Sequence, residues 1–239
     1  HKMTLVIPTD TDTAQYEVNQ AFAFVRRNCG INTNSMNWKE KDCLERATSG
    51  IVAKRSSDGT GLAFVSKGGI HECGVSDDSR KTMFITLLRA FWKTYTTNGE
   101  PDGQAQGNHE DDFQLVTLDK SMTNTALQRM QDAWMTGVRA FVVKEKIEYT
   151  LLSVEGDLCV SAFKPALDGS GEMVLRVYNP SEQVQQATIK GLSPGARISV
   201  CDLLEEEESS LAVNADAALF EVFPYKIVTL RINNGSMEY

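Results

Sequence analysis

Apolar and polar residues alternate along much of this chain with the period of two that marks half-buried strands. The run "TLVIP" near the start is strand-like. The next segment, "DTDTAQYEVNQAFAFVRRNCG", mixes alternation with spacing that a short helix would also satisfy, and "GINTNSMNWKEKD" reads as a polar loop. From residue 51 the strand pattern takes over. "IVAKRSSDGTGLAFVSKGG" places two apolar runs around an Asp-Gly turn, which predicts a hairpin. "KTMFITLLRAFW", residues 81–92, predicts a buried strand, with a helix of that length as the alternative. The Gly-, Asn- and Asp-rich stretch 96–112 predicts a long loop, followed by an alternating strand in "FQLVTLD". Ala126, Leu127, Met130 and Trp134 recur at helical spacing ahead of Gly137, which predicts one short helix.

Beyond Gly137 the texture changes. "YTLLSVEGDLCVSAFKPALDGSGEMVLRVYNPSEQVQQATIKG" holds four strand-like runs separated by turn residues, and "ARISVCDLL" and "FEVFPYKIVTLRIN" add two or three more. Regular turn chemistry with alternation is the mark of an antiparallel sandwich. The expected architecture is therefore mainly β, with one short helix. A larger β-rich region spans residues 1–147, a compact β-sandwich 148–234 and a tail 235–239. No internal repeat is visible.

Composition narrows the classes. With 239 residues, one or two domains are expected, and 41% apolar and 23% charged residues are ordinary for a globular chain. A net charge of −8 argues against nucleic acid as partner, because binding phosphate needs a basic surface. No window is apolar enough to span a membrane, and the start lacks the apolar core of a secretory signal. Five scattered cysteines without a CxxC pair suggest reduced thiols and a cytoplasmic setting. His1 and Lys2 ahead of Met3, with an apolar run at once, suggest a piece of a longer protein.

Candidate chemistry gathers in "GGIHECGVSDD", residues 68–78, where His71, Glu72 and Cys73 stand in a row. Neighbours on an extended segment face opposite ways, so His71 and Glu72 do not easily share a metal. A site built from His71, His109 and an aspartate requires two loops to meet; ordinary loop histidines are the simpler reading. Cys73 and His71 stand two apart on an expected loop, and a thiolate partnered in this way also needs an electropositive pocket, so nucleophilic catalysis is weakly supported. No GxSxG, HExxH, GxGxxG or GxxxxGK pattern occurs. Catalytic carboxylate pairs are not identifiable by spacing among 32 acidic residues, and clusters such as Asp77–Asp78, Asp111–Asp112 and Glu205 to Glu208 are expected to be solvated. Lys67, Arg89 and Arg176 are candidate anion contacts. Trp38, Trp92 and Trp134 are candidate sugar platforms, with core packing the simpler role for Trp134.

Ordered landmarks carry a resemblance. "LCVSAFKPALDGSGEMVLRVYNPSEQVQQATI", then "VCDLLEEE", then "FPYKIVTLRI" resemble the end of glycoside hydrolase family 38, the α-mannosidases. The landmarks are Ser161 to Lys164, Val174 to Asn179, Asp202 to Glu205 and Pro224 to Ile232. Upstream, "GLAFVSKGGIHECGV", "ITLLRAF" and "PDGQAQGNHEDDFQLVTLD" are similar to family segments, so the resemblance runs over roughly residues 45–234. Text such as "HECGVSDD" resembles the branch that cleaves mannosylglycerate, although Cys73 and Gly74 stand where an aromatic and an acid are usual.

The resemblance implies a mutarotase-like β-supersandwich portion followed by a C-terminal β-sandwich. It implies a retaining glycosidase whose divalent, zinc-like metal and nucleophile lie in an amino-terminal catalytic domain announced by a His-x-His-x-Asp type motif. No His-x-Asp occurs here, so no catalytic residue and no metal ligand is expected in this chain. "GGIHECGVSDD" is expected to be a loop between strands. Lys67, His71, Glu72, Arg89, Gln104 and His109 are the candidates for lining the substrate cleft or the interface with the catalytic domain. The expected partners are that domain, a small mannose-containing glycoside and further copies of the full-length protein. Two other readings stand beside this one. One is a stand-alone carbohydrate-binding sandwich using Trp38 or Trp92. The other is an enzyme in its own right with His71 and His109 as acid and base.

Overall fold

The structure, a computed structural model, describes residues 1–69, 71–94, 99, 101–144 and 150–235. The chain divides into two units, one of residues 1–123 with 130–136, the other of residues 124–129 with 137–239. The boundary expected near residue 147 lies outside the described residues, as does all but Gly235 of the expected tail. Both units are antiparallel β, as the alternation implies, and one helix is present among the described residues.

The first unit contains strands β1 (Lys2–Ile7), β2 (Gln15–Gln20), β3 (Ala23–Asn28), β4 (Arg46–Thr48), β5 (Ile51–Arg55), β6 (Gly61–Ser66), β7 (His71–Val75), β8 (Met83–Arg89) and β9 (Phe113–Leu118). They form a four-stranded sheet, β1-β8-β7-β4, and a five-stranded sheet, β3-β2-β5-β6-β9. Ile7, Cys73, Val75, Met83 and Ile85 from the first sheet meet Tyr16, Val18, Val52 and Phe64 from the second in one buried cluster. Nearly complete burial of each such side chain contributes about 1.5–3 kcal/mol before entropy is counted. β5 and β6 pair through the expected Asp-Gly turn.

Two local expectations are corrected here. The segment left open to a short helix is the β2–β3 hairpin, in which Gln20 pairs with Ala23 and Phe22 takes a positive φ of 62°. "HECGV" is not a loop but β7, paired with β4 on one side and β8 on the other. Its alternation points Cys73 and Val75 into the core, which outweighs the flanking Gly-Gly and Asp-Asp turn signals.

The predicted helix is α1 (Asn124–Thr136), ended by Gly137. Leu127 is fully buried, but the polar Gln131 is almost as deep at 2% exposure. Its Nε2 donates to the carbonyls of Ser49 (3.1 Å) and Ser66 (3.0 Å), and its Oε1 accepts from Asn19 Nδ2 (3.1 Å). Asn19 Oδ1 in turn accepts from the Ile51 amide (2.8 Å) and the Thr48 hydroxyl (3.2 Å). Gly50 closes this network with φ +102°. A Cβ there would lie 2.2 Å from Ser66 Oγ and 2.8 Å from Gln131 Nε2, so both backbone and space demand glycine.

The second unit contains β10 (Ser153–Glu155), β11 (Cys159–Pro165), β12 (Met173–Tyr178), β13 (Gln185–Lys190), β14 (Arg197–Cys201), β15 (Glu207–Leu211), β16 (Val213–Asn214), β17 (Ala217–Val222) and β18 (Ile227–Asn233). The sheets are β10-β13-β17-β16 and β11-β12-β18-β14-β15. Leu175, Val177, Ile198, Leu230 and Ile232 from one sheet pack with Ala187, Ile189, Ala218, Phe220 and Val222 from the other. Asn179, fully buried after β12, donates from Nδ2 to Gln183 O (2.6 Å) and Val222 O (2.9 Å), and its Oδ1 accepts from the Ser181 amide (3.0 Å) and hydroxyl (2.7 Å). That arrangement uses the whole bonding capacity of an asparagine amide, so no other side chain substitutes.

The acidic run at 205–208 is not uniformly solvated. Glu205 is only 5% exposed, in a left-handed conformation (φ 73°) that turns its carboxylate inward. It accepts from Lys164 Nζ and from the Leu167 amide (2.8 Å), and the Lys164 hydrogen bond holds its carboxyl below the ordinary range. Arg231 likewise binds Glu172 and Asp168 of the β11–β12 connection.

Candidate functional site

The six candidate residues all lie in the first unit, but they do not form one cluster. Lys67 follows β6, and its amide donates to the Asp112 carbonyl at 2.9 Å. Its Nζ stands 3.3 Å from Asp112 Oδ2, with both side chains exposed. His71 opens β7 on the core face. Its ring meets the edge of Phe64 at 5.9 Å and 84°, and Nδ1 lies 3.4 Å from the Thr86 carbonyl. Lys67 and His71 share a groove of about 360 Å3 with Gly68, Glu110, Asp111, Asp112 and Met135.

Glu72 and Arg89 sit elsewhere. One residue along β7 from His71, Glu72 leaves from the other face and accepts from Arg89 Nη1 at 2.6 Å. Its second oxygen, Oε2, is buried without a hydrogen-bond partner. Gln104 lies in a 3₁₀ turn, Asp102–Gln104, and His109 places Nε2 2.5 Å from the Ala105 carbonyl in an exposed loop. Neither lines the groove that holds His71.

This geometry limits the chemistry. His71 lines the groove and His109 does not, so the groove holds no His71–His109 acid–base pair. Among the described residues, no group of three or more His, Cys, Asp or Glu side chains stands together as metal ligands would. Both cations already face carboxylates, Lys67 with Asp112 and Arg89 with Glu72. Exposed pairs of that kind contribute about 0–1 kcal/mol, so an incoming anion could displace Asp112 at small cost. Burial pushes the Cys73 thiol up to about 12, so it stays protonated and is no nucleophile at neutral pH. Sequence reasoning missed Asp112, Glu110 and Met135 as groove residues. The acidic cluster beside His109 was visible as composition, but its pairing with Lys67 spans 45 positions.

The family comparison bears on the second unit, the structural ones on both. Residues 157–230 match the family model described as the glycosyl hydrolases family 38 C-terminal beta sandwich domain. Residues 157–230 are a family 38 C-terminal β-sandwich. The landmark strands β11 and β12, the buried Asn179 and the first part of β18 fall inside the matched range. Among solved structures, an alpha-mannosidase from Enterococcus faecalis V583 superposes with a TM-score of 0.73 at 18% identity, covering 96% of this chain and 25% of that one. A protein of glycosyl hydrolase family 38 from Enterococcus faecalis does so with a TM-score of 0.72 at 18% identity, covering 96% and 26%. At that identity the likeness speaks for the fold. The chain spans about a quarter of the length of these structures. No curated protein matches the sequence.

Proposed function

We propose that this chain is the carboxyl-terminal, non-catalytic part of an α-mannosidase-type glycosidase. The observation that carries this reading is the family 38 sandwich at residues 157–230. In this reading the β units dock an amino-terminal catalytic domain and complete its substrate cleft. The nucleophile and the divalent, zinc-like metal belong to that domain, and no step is assigned to residues of this chain. Lys67 and His71, which share a groove, are the strongest cleft candidates; Glu72, Arg89, Gln104 and His109 fit the domain interface better. A mannosyl glycoside bearing a carboxylate, such as mannosylglycerate, would find its cation at Lys67 by displacing Asp112. Free thiols at all five cysteines support a reducing, cytoplasmic setting, and assembly of the full-length protein into homo-oligomers belongs to the same proposal.

Hydrolysis of an aryl α-mannoside tests this. The full-length protein is expected to release the aryl group and the 239-residue chain alone is not. Lys67→Ala and His71→Ala in the full-length protein are expected to raise KM or lower kcat. Turnover by the isolated chain, or inactivity of the full-length protein on every α-mannoside tried, overturns the reading.

A further inference from the structure

The loop between β3 and β4 builds a second concavity on the first unit. It encloses about 540 Å3 and is lined by Asn28, Asn32, Thr33, Trp38, Asp42 and Arg46, among others. That volume falls within the roughly 300–1,000 Å3 typical of small-molecule sites.

The loop is braced along its length. The Cys29 amide donates to Ala14 O (2.8 Å) and the Gly30 amide to Val75 O (2.7 Å). Gly30 adopts φ +76°, and a Cβ there would lie 3.0 Å from the Asp77 Cβ. Asn32 caps the 3₁₀ turn Thr33–Asn37 by accepting from the Asn34 amide (3.1 Å), and the Trp38 amide closes it on Ser35 O (2.8 Å). Asp42 ties the far end back: Oδ2 accepts from the Asn32 amide (2.8 Å), and both oxygens accept from Arg46 Nη2 (2.7 and 2.6 Å). Arg46 itself begins β4, which pairs with β7. A pocket fixed in this way spends little entropy on binding.

Its chemistry selects a ligand class. Asp42 and Arg46 neutralise one another, so the pocket offers no net charge to recruit an ion. Trp38 leaves 54% of its surface exposed, and it differs from the similarly exposed Trp92 in lining this braced pocket. The residues that line the pocket with it carry donors and acceptors: the side-chain amides of Asn28 and Asn32, the Thr33 hydroxyl, the Arg46 guanidinium and the Asp42 carboxylate. An electron-rich ring face beside amide, carboxylate and guanidinium groups suits a molecule with one flat C–H face and a rim of hydroxyls. We propose that the Trp38 pocket is a binding site for a neutral saccharide. This rests on the pocket and not on the glycosidase reading, so either can fail alone.

The test is a titration of the 239-residue chain with methyl α-mannopyranoside and separately with maltose, with glycerol as the non-cyclic control. Tryptophan fluorescence and amide chemical shifts are the readouts. At least one sugar is expected to give a saturable change with a millimolar Kd, with shifts at Asn32, Thr33 and Trp38, while glycerol gives none. Trp38→Ala is expected to weaken binding about tenfold or more, Trp38→Phe less, and Trp92→Ala not at all. Unchanged far-UV circular dichroism and urea midpoints for the Trp38 variants separate lost contact from lost fold. No saturable response to either sugar, or equal affinity in the parent and Trp38→Ala, overturns the proposal.

Discussion

Replacing Gln131 by Met should destabilise the first unit although it leaves side-chain length and helix propensity nearly unchanged. The parent amide hydrogen-bonds Ser49 O, Ser66 O and Asn19 Nδ2 at 3.1, 3.0 and 3.1 Å, the last two fully buried. Met supplies none of them. The Asn19 amide loses its bond to the glutamine and keeps a longer one, 3.4 Å to Ser49 O, and the Ser66 carbonyl loses its side-chain donor. Each stranded buried group costs about 1–3 kcal/mol, so the expected loss is about 2–4 kcal/mol. All three tryptophans, Trp38, Trp92 and Trp134, belong to the first unit, so tryptophan fluorescence in urea reports this unit alone. With a slope of about 2 kcal/mol per molar urea, the midpoint falls by roughly 1–2 M. The Asn19→Ala/Gln131→Met double variant should lose less than the sum of its parts, by about 0.5–3 kcal/mol, because both break the same bond. A Gln131→Met midpoint indistinguishable from the parent refutes the idea that hydrogen bonding, and not volume, places a glutamine there.

Three further outcomes follow from buried charge and buried sulfur. Lys54 is fully buried, donating to Thr13 O (2.8 Å) and Thr13 Oγ1 (2.6 Å), and burial lowers its pKa from 10.5. Between the lowered value and 10.5 the unfolded chain binds the proton better, so stability from this group rises with pH there; the advantage of Lys54→Met should shrink towards pH 10.5, and a flat difference from neutral pH upward argues against it. Glu205, held below 4.5 by the Lys164 hydrogen bond, adds stability that is complete above 4.5 and lost as pH falls through the lowered value; Glu205→Gln should flatten that part of the acid limb, and an unchanged limb counts against the inward carboxylate. Iodoacetamide on the native protein should modify exposed Cys43 first and spare Cys73, Cys159 and Cys201 until urea is added; mass spectrometry showing early native labelling of Cys73 contradicts its burial.

What was legible in the sequence was local, and what was hidden depended on distant partners. The β5–β6 hairpin announced itself through Asp-Gly, and α1 through helical spacing ended by Gly137, because turn and cap chemistry act between near neighbours. The β2–β3 hairpin did not, since its turn, Ala21–Phe22, contains none of the usual turn residues and Phe22 accepts a positive φ. "HECGV" looked like a loop because His71, Glu72 and Gly74 dilute the alternation. Only the strands on either side show that Cys73 and Val75 are the positions that matter. β15 and β16 were missed because they are short edge strands, mostly polar and exposed, in which Leu211 and Val213 are the apolar positions that pack on the core. Glu205 was assigned to a solvated run because its cation, Lys164, lies 41 positions away. The same separation governs the candidate site. The Gly-Gly segment beside Lys67 and His71 marked a special connection, but Asp112 reaches Lys67 across the β6–β9 pairing, and Phe64 reaches His71 from the other sheet. Strand landmarks fared better than any single reactive residue. Asn179 shows why: the bonds it makes to Gln183 and Val222 hold a turn that the second unit needs whatever reaction it serves, so its place in the strand order marks the fold. His71 and His109, singled out for their chemistry, had no such structural obligation to meet, and only His71 lines the groove.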